Sequence, residues 1–393
     1  MRFISKAAAV LLAAVISTFF CTVSAAATEM PEVTAKGAVV INADTGEVLF
    51  RQCADKRLPM ASTTKIMTTI LAIEHGRLDE QFTVDPQAVR TEGSSMGLRE
   101  NDKVTLRELC YGMMLPSGND AANCTAVRVS GSLENFVGLM NQKAQQLGLS
   151  DTHFVTPSGL DDNTDEHYST AADMAELTRY AMQNSTFREI CSAKKAKVCF
   201  GDPPCDRWLY NTNKLLSSCH GVIGVKTGFT DKAGRCLVSC CERNGATLIC
   251  VTLGDRNDWH DHSMLYDRCF TFVSQQTLSA GSGRFELDVV GSDTDRIKCF
   301  ALPVKACLLN GRAKDVKAVV HLPRFVYASV HKGDKVGDVE YWYNGTLIAR
   351  TDVFAGSDAR YVKAESKGFL EDIRSRITGL FSGSCPTFVG YIS

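Results

Sequence analysis

Hydrophobic residues follow a strand pattern near the start of the chain, a helical pattern through its middle, and a strand pattern again from about residue 221. The stretch GAVVINADTGEVLF at 37–50 predicts two short strands around an Asp-Thr-Gly turn. Three later stretches, GVIGVKTG, GRCLVSCCER and ATLICVTLG, each predict a strand. Because strands enclose the helices, the pattern predicts an α/β (α+β) domain whose sheet joins distant parts of the chain.

Several amphipathic stretches lie between these strands. Apolar residues at helical spacing predict helices over 59–75, 133–147 and 170–183. The stretch LRELCYGMMLPSGNDAANCTAVRV has the same spacing but contains Pro116, which cannot continue a helix. It therefore predicts one helix that ends before Pro116 and a second that begins at about Asn119.

A second domain is predicted after residue 275. Residues 276–284, QTLSAGSGR, have the composition of a linker. Beyond the linker the chain forms short runs of strand type, and Asn344-Gly345 is a strong hairpin turn. The runs are FELDVVG, DRIKCFAL, AVVHLP, FVYASV, VGDVEYWYNG and LIARTDVFA. We therefore expect a small all-β domain over 284–362.

The last segment, 363–393, contains FLEDIRSRITGLF, which has an apolar and a charged face at helical spacing. Its apolar face comprises Phe369, Leu370, Ile373, Ile377, Leu380 and Phe381. The segment is too short and too charged to span a bilayer. We expect an amphipathic helix at the membrane interface, and the alternative is a helix that packs on the protein.

The first 27 residues have the layout of a secretory signal peptide. Arg2 and Lys6 precede an apolar run, and small residues follow near Ala25 to Ala27. The alternative is a retained transmembrane anchor. Cys21 is not expected to carry a lipid, because the preceding Thr-Phe-Phe is bulky. The chain is therefore predicted to be exported.

Composition narrows the classes of function. The formal net charge is −1, without a strongly basic block, so no nucleic-acid partner is expected. Of sixteen cysteines, Cys21 would leave with the signal peptide, and several others lie in strand-like apolar runs as small core residues. The best disulfide candidate is Cys199 with Cys205. No C-x-x-C pair occurs, which argues against a zinc ribbon.

Three short motifs carry the candidate chemistry. Ser62-x-x-Lys65 lies where a helix is predicted to start, although S-x-x-K also occurs at Ser192 and Ser329. A serine hydroxyl needs a base and a site for the oxyanion, and a buried lysine near another cation can lose its proton and act as that base. Ser117-Gly118-Asn119 follows about 50 residues later, and Lys226-Thr227-Gly228 follows about 110 residues after that. Singly each motif is weak, but together and in this order they are specific.

On these residues the chain resembles the D-alanyl-D-alanine carboxypeptidases, the low-molecular-mass penicillin-binding proteins. The resemblance extends over most of the chain that follows the signal peptide. It rests on VVINADTGEVLF, PMASTTKIMT, EGSSMGL, LPSGNDAAN, FVTPSGLDD, HYSTAADMAEL, NTNKLL and GVIGVKTGFTDKAGRCLV. It implies a penicillin-binding-protein/β-lactamase-like transpeptidase domain over 28–275, followed by the all-β domain and the amphipathic tail.

The resemblance also implies roles for the motif residues. Ser62 would attack the peptide bond between two D-alanines of a peptidoglycan stem peptide, and Lys65 would take its proton. Ser117 would relay a proton to the leaving D-alanine, and Asn119 would hold Lys65 and the substrate amide. Lys226 and Thr227 would bind the terminal carboxylate. Gly228 would let the substrate backbone lie along the strand. The backbone N–H groups of Ser62 and Phe229 would form the oxyanion hole.

No metal or cofactor is implied, and β-lactams are the implied inhibitors. The implied location is the outer face of the cytoplasmic membrane, where the C-terminal helix would attach the enzyme peripherally.

One departure concerns recognition of the substrate carboxylate. The family often has an arginine about thirty-five residues after the KTG motif, a position occupied here by Asp261. Arg256 and His262 are the candidates to replace this arginine. The alternative is that Thr227 and Lys226 bind the carboxylate without it. The cluster His260-Asp261-His262 could suggest a metal site, but a solvated loop is favoured. His167 matches a family position, where we expect it to support the structure.

Two rival functions share parts of this pattern. A class A-like β-lactamase needs a glutamate with an asparagine four residues later, and no glutamate between Ser117 and Lys226 has one. The second domain also argues against a β-lactamase. The other rival is a non-catalytic penicillin- or peptidoglycan-binding module, which the presence of all the reacting residues disfavours.

Overall fold

A computed structural model describes residues 30–161, 164–280, 285–363 and 389–391. In its first domain a five-stranded antiparallel sheet has the order β2-β1-β9-β8-β7, so that β7 is an edge strand. The strands of this domain are β1 (Gly37–Asn42), β2 (Val48–Gln52), β3 (Gln81–Thr83), β4 (Lys103–Thr105), β5 (Lys195–Phe200), β6 (Cys205–Tyr210), β7 (Val222–Thr230), β8 (Gly234–Arg243) and β9 (Ala246–Leu253). The sheet therefore joins the start of the domain to its end, as predicted.

The helices over 65–182 follow the predicted stretches, whereas those over 185–192, 215–218 and 258–269 were not predicted. The helices of this domain are α1 (Lys65–His75), α2 (Leu106–Met114), α3 (Asn119–Ser130), α4 (Leu133–Gln146), α5 (Ala171–Met182), α6 (Ser185–Ser192), α7 (Leu215–Ser218) and α8 (Asp258–Cys269). The break at Pro116 is confirmed. Helix α1 starts later than residue 59, because the chain first makes a 3₁₀ turn at Ala61–Thr64. The hairpin of β5 and β6 was not predicted.

The second domain is built from strands, as expected. Its strands are β10 (Val273–Leu278), β11 (Phe285–Val290), β12 (Arg296–Ala301), β13 (Val304–Leu309), β14 (Lys317–His321), β15 (Phe325–Tyr327), β16 (Lys335–Tyr343), β17 (Thr346–Ala355) and β18 (Val389–Tyr391). Seven of them form the sheet β15-β11-β12-β17-β16-β14-β18, and β10 pairs with β13. The hairpin at Asn344-Gly345 is present, with φ values of 48° and 79°.

Two details of the second domain differ from expectation. The predicted linker starts later, because residues 276–278 belong to β10 and pair with β13. Strand β13 was missed, since its short apolar run VKACLL has no clear alternation. The two domains touch through Asn42, whose amide donates to the Cys307 carbonyl at 3.0 Å, and through Tyr343, whose hydroxyl donates to Glu47 at 3.0 Å.

The predicted disulfide is absent. Cys199 and Cys205 are exposed free thiols. In the β5–β6 hairpin Cys199 lies opposite Asp206, while Cys205 lies opposite Phe200. Because neighbouring strand residues alternate between the two faces, the two thiols point to opposite sides of the hairpin.

The predicted signal peptide at 1–27 and the amphipathic helix around 369–381 lie outside the described residues. Within the tail, Val389–Tyr391 pairs with β14 as an edge strand. Among the helices that the structure describes, none has the length and apolar composition needed to cross a bilayer.

Candidate active site

The turn that carries Ser62 is held in a strained conformation. Ala61, immediately before Ser62, has φ of +47°, in the left-handed region that non-glycine residues avoid. The turn is fixed by the Thr63 hydroxyl, which donates to the Met60 carbonyl at 2.6 Å. A loop packs against it at Gly159, where a side chain would begin 2.0 Å from the Ala61 oxygen. The backbone thus places the Ser62 hydroxyl at the start of α1.

Lys65 lies one turn beyond Ser62 and is fully buried. Its Nζ is 2.8 Å from Ser62 Oγ, 2.7 Å from Asn119 Oδ1 and 2.6 Å from the Ser158 carbonyl oxygen. The S-x-x-K and S-x-N motifs therefore meet at one nitrogen, although 54 positions separate Lys65 from Asn119.

The environment of Lys65 favours its neutral form. Burial lowers its pKa well below the ordinary lysine value, the nearby Lys226 cation lowers it further, and Asp120 opposes both effects. The Asn119 and Ser158 oxygens are carbonyl oxygens, which only accept hydrogen bonds. A neutral amine has two N–H groups and one lone pair, so those two acceptors take the N–H groups and the lone pair faces Ser62. This geometry suits removal of the hydroxyl proton.

Ser117 and Asn119 flank the break between α2 and α3. Ser117 is nearly buried and has φ of +68°, a second left-handed residue in the site. The Asn119 amide group donates to the Glu92 carbonyl at 2.8 Å, which orients its oxygen towards Lys65. Glu92 is followed by Gly93, where a side chain would begin 2.9 Å from the Asn119 amide nitrogen.

Asp120, which the sequence analysis did not single out, organises the loop over 94–98. The backbone N–H groups of Met96, Gly97 and Leu98 donate to its carboxylate at 2.9–3.1 Å. The Ser95 hydroxyl also donates to it, at 2.6 Å. The carboxylate is buried next to Lys65 and so places a negative charge near the candidate base.

Edge strand β7 carries the K-T-G motif and lies against the Ser62 turn. A side chain at Gly228 would begin 3.2 Å from the Ser62 nitrogen and 3.1 Å from the Met60 oxygen. These distances are tighter than ordinary contacts of a Cβ atom, so glycine favours this close approach of the strand. Phe229, the next residue, is 63% exposed. The backbone N–H of Ser62 and this part of β7 therefore line one cleft.

Lys226 is buried, and its Nζ donates to the Thr227 carbonyl at 2.9 Å. Burial lowers its pKa to about 7, so it titrates near neutral pH. Thr227 shares a hydrogen bond of 2.8 Å with the hydroxyl of Thr212. The sequence analysis gave Thr212 no role, but its hydroxyl lies beside the K-T-G motif.

Arg235 on β8 lies directly opposite Phe229 in the strand register. Its Nε and Nη2 donate to the buried Asp258 carboxylate, at 2.7–3.1 Å, and its guanidinium lies over the Trp259 ring. The side chain is still 41% exposed. Because paired residues share one face of a sheet and Thr227 is two positions from Phe229, Arg235 projects from the same face as Thr227.

Of the carboxylate-binding candidates near residue 261, His262 is buried in the fold, and the expected solvated loop over 260–262 is wrong. His260, Asp261 and His262 belong to helix α8. Asp261 is buried and accepts a hydrogen bond from the Thr34 backbone at 2.7 Å. His262 is buried between Ser239 and Thr252, at 2.6 and 3.0 Å, and burial lowers its pKa to about 3. Arg256 is exposed just before α8. The family position and its neighbour His262 therefore support the fold.

His167 supports the Ser62 turn from behind. Its Nδ1 accepts from the Val155 N–H at 2.9 Å, so its Nε2 carries the proton and donates to the Thr64 hydroxyl at 2.8 Å. Burial lowers the pKa of His167 to about 4, with further lowering from His153 and Lys65. A neutral imidazole is therefore maintained at neutral pH, as expected of a structural residue.

The sequence matches two families in succession. Residues 24–257 match the D-alanyl-D-alanine carboxypeptidase family, and residues 272–360 match the penicillin-binding protein 5 C-terminal domain. The chain is 30% identical over 351 residues to the D-alanyl-D-alanine carboxypeptidase DacF of Bacillus subtilis, covering 83% of this chain and 86% of DacF. It is 39% identical over 246 residues to the D-alanyl-D-alanine carboxypeptidase of Streptomyces K15, covering 58% and 84% of the two chains.

Solved structures agree with these matches. The fold is similar to penicillin binding protein 5 from Haemophilus influenzae, with a TM-score of 0.61, 29% identity, and coverage of 85% of this chain and 99% of that one. It is also similar to the Streptomyces K15 DD-transpeptidase, with a TM-score of 0.59, 34% identity, and coverage of 62% and 100%. The architecture is thus a penicillin-binding fold: an α+β domain followed by an all-β domain.

Proposed function

This chain belongs to the D-alanyl-D-alanine carboxypeptidase family of serine peptidases, and from that premise we propose that it removes the terminal D-alanine from peptidoglycan stem pentapeptides through an acyl-enzyme. The observation that carries the proposal is the contact of 2.8 Å between the buried Lys65 amine and the Ser62 hydroxyl. A serine made nucleophilic by a neutral amine, beside an edge strand, suits attack on an extended peptide.

We assign the roles in acylation as follows. Lys65 takes the proton of Ser62 while the oxygen attacks the carbonyl carbon of the penultimate D-alanine. The negative charge on the tetrahedral oxygen is stabilised by the N–H groups of Ser62 and Phe229. Ser117 passes a proton to the departing D-alanine, and Asn119 holds Lys65 and the substrate amide. Water then releases the shortened peptide. β-Lactams would acylate the same serine.

The terminal carboxylate would be bound by Lys226 and Thr227, with the substrate backbone along Gly228. We add Arg235 to this set, because it provides a permanent positive charge on the face that carries Thr227. Lys226, with a pKa of about 7, is only partly charged at neutral pH. Nη1 of Arg235 makes no hydrogen bond to any described residue, so it is the nitrogen that we expect to meet the carboxylate.

We further propose the domain limits 1–27 for a signal peptide, 28–275 for the catalytic domain, 284–362 for the β-rich domain and 363–393 for a membrane-associating tail. The charge and apolar pattern of the first segment supports export. The apolar face of the last segment supports peripheral attachment to the outer face of the cytoplasmic membrane.

The rival functions have less support. The glutamates between the second and third motifs lack the asparagine that a class A-like β-lactamase needs, and Glu134, Glu166 and Glu189 are exposed. A non-catalytic binding module would not need the buried, neutral Lys65. We therefore retain the carboxypeptidase as the proposal.

A turnover assay tests it. The mature protein should release one D-alanine from a stem pentapeptide, and fluorescent penicillin should label it covalently. Ser62→Ala should abolish both, while the matched variants Ser192→Ala and Ser329→Ala should retain them. Rapid penicillin hydrolysis without D-alanine release would indicate a β-lactamase, and labelling without turnover of either compound would indicate a binding module.

A further inference from the structure

Strands β14 and β16 present a polar cluster on the face of the β-rich sheet that points away from its core. Val339 and Tyr341 of β16 are fully buried. Because side chains alternate along a strand, Asp338 and Glu340 project from the opposite face. His321 on β14 lies directly opposite Asp338 in the strand register, so its side chain is on that face too. His321, Asp338 and Glu340 are here called the β14–β16 site.

The ligating atoms of these three side chains converge. One imidazole nitrogen and one oxygen of each carboxylate all lie within 4.8 Å of one another, and His321 Nε2 is 3.2 Å from Glu340 Oε2. The ligand atoms of a tetrahedral Zn²⁺, each bound at about 2.0–2.1 Å, are about 3.3 Å apart. Small side-chain movements therefore suffice to place an ion between them. Among the residues that the structure describes, no other group of three His, Cys, Asp or Glu side chains converges in this way.

Neighbouring side chains already hold the two carboxylates in position. Arg350 donates through Nε and Nη2 to the two oxygens of Asp338, at 3.1 and 3.0 Å. Trp342 Nε1 donates to Glu340 Oε2 at 3.1 Å. Each carboxylate oxygen has two lone pairs, so both groups keep acceptor capacity for an ion. Donors placed in this way orient the carboxylate ligands of metal sites.

The charges on this face suit a cation at the site. Within the described chain the two site carboxylates are paired with one permanent cation, Arg350. Lys335 is paired with a third carboxylate, Asp352, at 2.6 Å, and Lys317 lies four positions from His321 at the other end of β14. His321 balances the second site carboxylate only while it is protonated. A metal binds the neutral imidazole, so a divalent ion can take the place of that proton.

The ligand set indicates which ion. A nitrogen with carboxylate oxygens suits zinc, whereas calcium and magnesium take oxygen ligands. The His321 side chain is 50% exposed, so the site is open to an ion from solvent. On its other edge β14 pairs with β18 over 317–319, which leaves His321 beyond that pairing. We propose that His321, Asp338 and Glu340 bind one Zn²⁺, with water as the fourth ligand, and that the ion fixes the end of β14 to β16.

Calorimetric titration of the untagged mature chain with ZnCl₂, after treatment with EDTA and dialysis, tests the proposal. We expect one site, whose affinity falls by about 100-fold or more in His321→Gln, because losing even an outer-shell partner costs about 10- to 100-fold. Glu340→Gln should weaken binding in the same way. The matched control is His331→Gln, which should bind like wild type. His331 also faces an aspartate, Asp334, at 3.6 Å, but no third ligating residue of the described chain joins that pair.

Two further measurements separate this site from the thiols and from folding. Co²⁺ in place of Zn²⁺ should absorb in the visible without a thiolate charge-transfer band, since none of the proposed ligands is a cysteine. The described thiols that are exposed are Cys53, Cys199 and Cys205. Zn²⁺ should slow amide hydrogen exchange in β14 of the wild type but not of His321→Gln, and the two metal-free proteins should melt alike.

Three results would overturn the proposal. If the wild type binds no Zn²⁺, the cluster is an ion-pair network only. If His321→Gln and Glu340→Gln bind as tightly as wild type, or if Co²⁺ gives a thiolate band, the ion is bound elsewhere in the chain.

Discussion

The carbonyl oxygen of Ser158 lies 2.6 Å from the Nζ of Lys65, although the two residues are 93 positions apart. This contact, with that of Asn119, occupies both N–H groups of a neutral lysine and leaves its lone pair for Ser62. The base is thus oriented by a backbone oxygen from a loop that also supports the nucleophile turn at Gly159. Substitutions around this arrangement should have distinct effects.

Lys65→Arg should lower the rate of acylation by both stem peptide and penicillin by about 10²- to 10⁴-fold, the usual contribution of a general base. Arginine keeps the charge and some of the bulk but does not give up a proton in this pH range. Stopped-flow acylation with a chromogenic penicillin measures the effect. Lys143→Arg, a lysine on α4 bound to Glu74, is the control and should acylate normally. Near-normal acylation by Lys65→Arg would show that another group is the base.

Lys226→Arg should alter the pH dependence of kcat/KM on the high-pH side. The pKa of Lys226 is lowered to about 7 by burial, and its charged form is the one that binds a carboxylate. In the wild type kcat/KM should therefore fall as pH rises through about 7. Arginine stays charged, so the variant should be slower because of altered geometry, but its alkaline limb should move to higher pH.

Peptide turnover from about pH 6 to about pH 10 measures this limb. Lys232→Arg, near the β7–β8 turn and paired with Asp165, is the control and should leave the profile unchanged. An unchanged alkaline limb in Lys226→Arg would assign the limb to another group.

Arg235→Gln should raise KM for a peptide that ends in a free carboxylate by about 10-fold, because a hydrogen bond to a charged group contributes about 1.5–3 kcal/mol. The same peptide with a C-terminal amide should be affected little. Arg243→Gln is a close control on the same strand, since Arg243 also pairs with an aspartate, Asp267, and lies over an aromatic ring, Phe270. Equal losses for both peptides would mean that Arg235 acts only through the fold.

Asp120→Asn should destabilise the 94–98 loop and also shift the acid limb of the acylation–pH profile. The amide nitrogen would face backbone donors, so we expect the free energy of unfolding to fall by about 1–3 kcal/mol. Loss of the negative charge also removes an effect that raises the pKa of Lys65, so the acid limb of acylation should move to lower pH. Thermal unfolding and acylation–pH profiles measure the two effects. Asp85→Asn, at a half-buried turn where one side-chain oxygen accepts from the Gln87 and Ala88 N–H groups, should change neither, since asparagine keeps that oxygen. An unmoved acid limb in Asp120→Asn would leave Asp120 a purely structural role.

Much of this protein was determined by local sequence. Helix boundaries such as the break at Pro116 depend on backbone constraints within a few residues. The three motifs were found because each places reactive groups within one turn or one strand, and the hairpin at Asn344-Gly345 follows from the left-handed preference of those residues. The order of the elements also indicated the α+β domain and the all-β domain that follows.

Contacts between distant segments were decided only by the tertiary structure. Ser158 and Arg235 lie outside the three motifs and Asp120 directly follows one of them. The importance of all three arises from the atoms that folding brings to them. The same reason explains the wrong expectations. Cys199 and Cys205 are close in sequence, but the strand register turns them to opposite faces. Asp261 and His262 were placed in solvent, but α8 packs them into the interior, where burial changes their pKa values and removes them from the substrate cleft.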